Sequence, residues 1–135
     1  MEGKVIQYAR RDAVQYARRW ALSRNRAYND FTKGGGDCMN FVSQCLYAGG
    51  LPFKNNGFEW HGLRGGSSFS WRGVDSFLKQ LKNYRQFGSP RLEFSCEKTP
   101  ESLKAGDLVF TVAEGVPGDI ERNPSHVAIL SRDYA

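Results

Sequence analysis

The sequence predicts an α+β fold in which N-terminal helices pack on a small antiparallel sheet. Segments with apolar residues at three- and four-residue steps fill the first two thirds of the chain. Two short runs rich in Val, Ile and Leu follow near its end. Helices first and strands last are typical of α+β domains rather than of alternating α/β units. The 135 residues, 40% of them hydrophobic, predict a single domain over residues 1–135.

A first helix is predicted from about Tyr8 to Asn25, followed by a connector to Gly36 that is rich in Asn, Asp and Gly. The net charge is +5 and the pI about 9.3. This positive net charge indicates a basic face that is exposed to solvent. The alternative is a surface that binds an acidic partner such as an anionic polymer. The sequence contains no recognisable nucleic-acid-binding motif, so no nucleic-acid partner is expected. Six arginines near this helix carry much of the charge: Arg10, Arg11, Arg18, Arg19, Arg24 and Arg26.

A second helix is predicted to begin at Asp37 or Cys38 and to end near Ala48, with Gly49 as the C′ residue. A long polar, glycine-rich loop is then expected from Leu51 to Phe69. A third helix is predicted with Ser70 as its N-cap. Its buried face should contain Trp71, Val74, Phe77, Leu78 and Leu81. The predicted strands are Asp107–Val112 and His126–Ser131.

The cysteine pattern excludes two common uses of cysteine. The chain contains three cysteines, and an odd count argues against a disulfide framework. Cys38 and Cys45 would lie about 10.5 Å apart along a helix, too far for a disulfide. There is no CxxC pair, so no metal site and no cofactor are expected. Cys45 and Cys96 are interpreted as small core residues.

Cys38 is the candidate nucleophile because it is predicted in the first turn of a helix. Free backbone N–H groups and the positive end of the helix dipole lie there, and both favour thiolate over thiol. Glycines 34–36 before it would leave room for a substrate. The backbone N–H of Cys38 could also stabilise an oxyanion.

A thiolate nucleophile needs a partner that moves protons, and the chain has two histidines, His61 and His126. His126 begins a predicted strand, whereas His61 falls in the predicted loop, a poor place for a rigid base. A cysteine on a helix that faces a histidine on a strand is the papain-like arrangement. Cys38 and His126 are therefore the predicted catalytic pair.

Five segments resemble a known family. The stretch DCMNFVSQCLYAGG, from Asp37 to Gly50, closely resembles the cysteine motif of the putative amidase domain family of bacterial proteins. YARRDAVQYARRWALSRNRAYNDF looks like the leading helix and connector of that family, and SFSWRGVDSFLKQL looks like its Ser-x-Ser-Trp helix. LKAGDLVF and SHVAILS look like its Gly-Asp-Leu strand and its histidine strand, which NlpC-type cysteine peptidases share.

The resemblance implies a papain-like, NlpC-type fold and a cysteine-dependent amidase or peptidase. It implies that Cys38 is the nucleophile, that His126 is the general base and acid, and that the substrate is a peptide or amide, with peptidoglycan as the candidate. Met39 departs from the family's usual small hydroxyl residue after the cysteine. The resemblance also implies a third polar residue on a further strand, expected beyond Ala135; Asp133 is the acidic group near His126 in sequence.

Three further residues are candidates for supporting roles. Asp37 is predicted to cap the second helix or to contact substrate, with capping favoured. Trp60 is a candidate for lining a cleft, and Tyr28 a candidate oxyanion donor by resemblance to related folds. Asn40 and Gln44 share a helix face and are predicted to be structural.

Two other functions remain open from the sequence. The first is a catalytically impaired papain-fold module that binds an anionic cell-wall polymer. The second is a metal site formed by Cys38, Asp37 and a histidine, for which the ligand spacing is poor. No membrane span and no signal peptide are expected in the stretch given. As written the sequence indicates a cytoplasmic protein, or an extracytoplasmic one if an export signal has been removed.

Overall fold

The computed structural model describes residues 7–32, 37–51, 59–63, 66–86, 99–111 and 126–134. Helices and two small antiparallel sheets make up these ranges, so the predicted α+β class is confirmed. No helix in the described ranges has the length and apolar character that crossing a bilayer requires. The elements in chain order are α1 (Arg10–Trp20), α2 (Cys38–Ala48), β1 (Gly62–Leu63), β2 (Gly66–Ser67), α3 (Phe69–Arg72), α4 (Val74–Gln86), a short 3-10 helix (Pro100–Ser102), β3 (Leu108–Thr111) and β4 (His126–Ile129).

Helix α1 packs on α2 through small side chains. Ala13, Ala17 and Cys45 form a buried cluster between the two helices, and such small residues let helix backbones approach closely. The helix ends at Trp20, five residues before the predicted end at Asn25. The reason is local: the Asn25 side chain accepts a hydrogen bond from the Ala27 N–H, which favours a turn over further helix.

Helix α2 begins at Cys38 and ends at Ala48, as the sequence predicts. Its C-terminus differs in one detail, because Gly49 is the C-cap and Gly50 is the residue with positive φ, at 99°. Gly49 is required for a different reason. A Cβ at Gly49 would lie 2.6 Å from Cε1 of Tyr8.

The predicted third helix is two helices. Ser68 precedes α3, and Gly73 separates α3 from α4 with an extended backbone. Ser70 is therefore not an N-cap; it lies inside α3, buried, and donates a hydrogen bond to the Glu59 carbonyl oxygen. Trp71, Val74 and Phe77 are buried, as predicted.

The predicted loop from Leu51 to Phe69 contains a small hairpin. Strands β1 and β2 pair antiparallel, with Gly62 opposite Ser67. Gly62 packs against Trp71 so closely that a Cβ there would overlap the indole ring. Residues 52–58 of this predicted loop lie outside the described residues.

The second sheet contains the two predicted strands, with narrower bounds. Strands β3 and β4 pair antiparallel from Leu108 opposite Ile129 to Thr111 opposite His126. Val112, the predicted end of the first strand, lies outside the described residues. The inner faces of α2, α4 and β4 meet in the main core, which contains Tyr28, Met39, Val42, Leu46, Trp60, Trp71, Val74, Phe77 and Val127.

Candidate active site

Cys38 is the first residue of α2 and lies half-buried at the rim of a cleft. One side of the residue packs against the main core. The cleft has a volume of about 340 Å³ and is formed by the end of α1, the turn after it and one face of α2. Its lining residues are Trp20, Ala21, Ser23, Arg24, Asn25, Asp37, Cys38, Phe41 and Gln44. A thiol in this position combines a helix N-terminus with access from solvent.

The other described cysteine has the opposite environment. Cys45 is fully buried between α1 and α2, and burial raises the pKa of its thiol to about 12. Its side chain is therefore a neutral core thiol at physiological pH. Cys45 has the core role that the sequence predicts, while Cys96 lies outside the described residues.

Asp37 occupies the N-cap position, but its carboxylate does not cap the helix, so the favoured prediction for this residue is wrong. Its backbone has φ −122° and ψ 4°, rather than the extended conformation of a typical N-cap. The carboxylate instead accepts hydrogen bonds from the Phe31 N–H at 3.0 Å and Asn40 Nδ2 at 2.9 Å. Arg24 completes the set with a 3.1 Å ion pair. Asp37 thus ties the connector before α2 to the start of that helix.

Asn40 fixes the same end of α2 from the core side. Its amide is fully buried and donates hydrogen bonds to Asp37 and to the Asn29 carbonyl oxygen. The amide oxygen accepts a 2.9 Å hydrogen bond from Nε1 of Trp71. Because each of these polar atoms is paired, Asn40 holds the Cys38 turn against the rest of the domain.

Trp60 and Tyr28 are core residues rather than parts of the cleft. Trp60 is 1% exposed, its ring lies 4.7 Å from that of Trp71, and its Nε1 donates to Oγ of Ser43. The prediction that Trp60 lines a cleft is therefore wrong for the cleft at Cys38. Tyr28 stacks on Trp71 with ring centroids 5.7 Å apart, and burial raises the pKa of its hydroxyl. Neither side chain lines the cleft.

A hydrogen-bond network forms the wall of the cleft on the α1 side, and the sequence analysis did not find it. The Tyr16 hydroxyl donates a 2.5 Å hydrogen bond to Oε1 of Gln44 and accepts one from Nδ2 of Asn25. Burial raises the pKa of Tyr16, so the hydroxyl stays protonated and remains a donor. The three residues come from three separate segments, so the sequence indicates only Gln44, through the helix face that it shares with Asn40.

A chain of contacts links the C-terminal end of α2, the helix that Cys38 begins, to the end of β4, the strand that His126 begins. The Ala9 N–H binds the Gly49 carbonyl oxygen at the C-terminal end of α2. The neighbouring Tyr8 hydroxyl binds the Gly106 carbonyl oxygen, and the Gly106 N–H binds the Leu130 carbonyl oxygen just after β4. The C-terminal ends of α2 and β4 are therefore adjacent.

Strand β4 also packs against α2. Ile129 packs against the cluster that contains Cys45, and Val127 lies in the main core. His126 begins β4, three residues before Ile129, and Cys38 begins α2, seven residues before Cys45. His126 is exposed and pairs through its strand with Thr111; within the described part of the chain, no hydrogen bond joins it to Cys38.

The remaining titratable candidates lie elsewhere. His61 precedes β1, and its Nε2 lies 3.3 Å from Oε1 of Glu59. Asp133 accepts a hydrogen bond from the Ala105 N–H, next to the Gly106 end of the sheet and away from His126. Asp133 is therefore not placed to orient His126. Across the described ranges, no three His, Cys, Asp or Glu side chains group together as a metal site would require.

A comparison with protein families decides the membership of this chain. Residues 7–133 match the model described as "Putative amidase domain", and this match contains both Cys38 and His126. The chain belongs to that family. The family's description indicates amidase activity, which is a hydrolase activity. The resemblance given by the five sequence motifs is thereby confirmed at the level of the family.

One relative is similar over most of the domain. The chain is 36% identical over 116 residues to "Uncharacterized protein YhbB" of Bacillus subtilis (strain 168). The aligned region covers 84% of this chain and 35% of that protein, so the chain spans about a third of the relative's length. No solved structure matches the chain significantly.

Proposed function

We propose that this protein is a cysteine-dependent amidase or peptidase of papain-like, NlpC type. The observation that supports the proposal best is the position of Cys38: it starts α2 at the rim of a cleft, and β4, the strand that begins with His126, packs against that helix. Membership of the putative amidase domain family supports an amide as the substrate.

The proposed reaction has two steps. The Cys38 sulfur attacks the amide carbonyl carbon, the carbon–nitrogen bond breaks, and His126 delivers a proton to the departing amine. Water then attacks the thioester with His126 as base, the carbon–sulfur bond breaks, and the acid is released with the thiol restored. Backbone N–H groups at the start of α2 stabilise the oxyanion in both steps.

The surrounding contacts support this role by fixing the nucleophile. Asp37 and Asn40 attach the first turn of α2 to the connector and to Trp71, so that the backbone at Cys38 is held in place beside the cleft. Preorganisation of this kind lowers the cost of reaching the reactive geometry. The proposed substrate is a peptide amide of the bacterial cell wall, for which the resemblance to NlpC-type enzymes is the support.

Mass spectrometry of the enzyme during turnover tests the proposal. Incubation with soluble peptidoglycan peptides should release an amine and leave an acyl adduct on the peptide that contains Cys38. The Cys38→Ala variant should lose both, and the Cys45→Ala variant should keep both. Turnover that survives Cys38→Ala would contradict the cysteine mechanism. Cleavage of simple amides but not of wall peptides would contradict the substrate class alone.

A further inference from the structure

A second concave surface runs along α1, away from the cleft at Cys38. This groove has a volume of about 700 Å³ and lies between α1 and two segments that flank the second sheet, residues 104–105 and 131–133. The charged side chains that line it are Arg10, Arg11, Arg18, Lys104, Arg132 and Asp133. Five of these side chains are cationic and one is anionic.

Two of the cations are held in place by the protein itself. Arg10 forms a 2.5 Å ion pair with Asp107 and also donates to the Ala105 carbonyl oxygen. Arg18 donates a 2.6 Å hydrogen bond to the Ser131 carbonyl oxygen. Because a guanidinium has five donors, each still has N–H groups to offer to a ligand. These arginines are therefore preorganised rather than free in solvent.

The other cations are exposed and uncompensated. Within the described ranges, Arg11, Lys104 and Arg132 form no ion pair. Arg11, Gln15 and Arg18 recur at four- and three-residue steps, so that they share one face of α1. Asp133 is occupied by the Ala105 N–H. Even after Asp107 and Asp133 are counted, the groove keeps an excess of positive charge along its length.

We propose that this groove binds a linear polyanion without aromatic bases, such as a chain of phosphodiesters. Guanidinium groups bind phosphate oxygens in a bidentate manner, and a row of them suits a repeating anion better than a single one. Among the described residues, no aromatic side chain lines the groove, so these residues offer no platform of the kind on which proteins stack single-stranded nucleic acid. This favours a phosphate polymer with aliphatic units over DNA or RNA.

The groove would hold such a polymer beside the cleft rather than in it. Trp20 lines the cleft at Cys38 only two residues after Arg18, but on another face of α1. A polymer bound along α1 therefore leaves the Cys38 cleft open. The sequence alone favours a solvated basic face, and the meeting of cations from residues 10–18, 104 and 132 is what supports binding instead.

Titration with poly(glycerol phosphate) of defined length tests this inference, using Cys38→Ala as well as the wild-type chain. Both should bind equally, so the result does not depend on the proposed catalytic mechanism. Arg11→Gln and Arg132→Gln, on opposite walls, should each weaken binding roughly 3- to 10-fold and lower the slope of log K against log salt by roughly 0.7. Arg19→Gln is the matched control, because it removes one charge from α1 outside the groove; its affinity should stay within about twofold of wild type.

Two results would overturn the proposal. The first is an equal loss of affinity in Arg19→Gln and in the two groove variants, which would show a general charge effect. The second is equal or tighter binding of single-stranded DNA with the same number of phosphates, which would show that base-free chains are not preferred. Thermal unfolding of each variant establishes that it is folded before the comparison is made.

Discussion

The Tyr8 hydroxyl donates a 2.7 Å hydrogen bond to the carbonyl oxygen of Gly106, a residue 98 positions later in the chain. Tyr8 also packs against Gly49 at the end of α2. The contact therefore joins the C-terminal end of α2 to the sheet that contains His126. Cys38 begins that helix, and His126 begins a strand of that sheet.

Removal of this hydroxyl should weaken the connection. The variant Tyr8→Phe should lower the free energy of unfolding by about 1–2 kcal/mol, because the buried Gly106 carbonyl loses its side-chain partner. Urea denaturation measures the change. Tyr134→Phe is the matched control. Because Tyr134 is 60% exposed, this variant should show almost no loss of unfolding free energy. Equal effects in the two variants would contradict the role given to Tyr8.

The close approach at Gly49 makes a second prediction. A Cβ at Gly49 would lie 2.6 Å from the Tyr8 ring and 3.1 Å from Cβ of Ala13, so Gly49→Ala should force both to move. We expect a loss of about 1–3 kcal/mol in unfolding free energy. Gly66→Ala is the control, because a Cβ there meets nothing within 4 Å. A Gly49→Ala protein as stable as Gly66→Ala would show that the contact is not tight.

Stability should fall at alkaline pH. Burial raises the pKa of Cys45 from 9.0 to about 12, and that of Tyr8 from 10.0 to about 12. Above pH 9 the unfolded chain thus releases protons that the folded chain retains, so the unfolded state binds fewer protons and ΔG of unfolding decreases with pH. The contribution of these two groups to the free energy of unfolding is fully present below about pH 9 and is lost as the pH rises towards 12.

Urea denaturation at pH 7, 9 and 10 checks this expectation. The Cys45→Ala variant should lose stability less steeply with pH than wild type above pH 9, because it lacks one of the shifted groups. Between pH 6 and 8 the two proteins should show parallel profiles. A profile for Cys45→Ala as steep as that of wild type above pH 9 would contradict the assigned role of burial at this thiol.

The sequence predicts the elements of the fold better than the contacts of single side chains. The bounds of α2 agree with the local signals used to predict them, an aspartate before Cys38 and glycines after Ala48, although the Asp37 carboxylate does not cap the helix. The predicted first helix is too long because Ala21 and Leu22 continue the apolar pattern, although Asn25 favours a turn.

Side-chain roles are harder to predict because their partners are distant in sequence. Asp37 has the residue type and position of an N-cap, yet Arg24, Phe31 and Asn40 compete successfully for its carboxylate. Trp60 falls in a predicted loop, and the sequence does not show that its ring packs against that of Trp71. The basic groove likewise depends on residues from both ends of the chain, so only the folded arrangement shows it.

The rate at which iodoacetamide alkylates Cys38, measured by peptide mapping from pH 5 to 9, tests the central claim most directly. The proposed catalytic pair predicts that Cys38, as a nucleophile activated by His126, reacts at pH 6.5 roughly tenfold faster than free glutathione. In the His126→Gln variant, Cys38 should react no faster than glutathione. Cys45 should stay unlabelled in the folded wild-type protein and in the folded variant. A Cys38 that reacts as slowly as glutathione, or at a rate that His126→Gln leaves unchanged, would contradict the proposed catalytic pair.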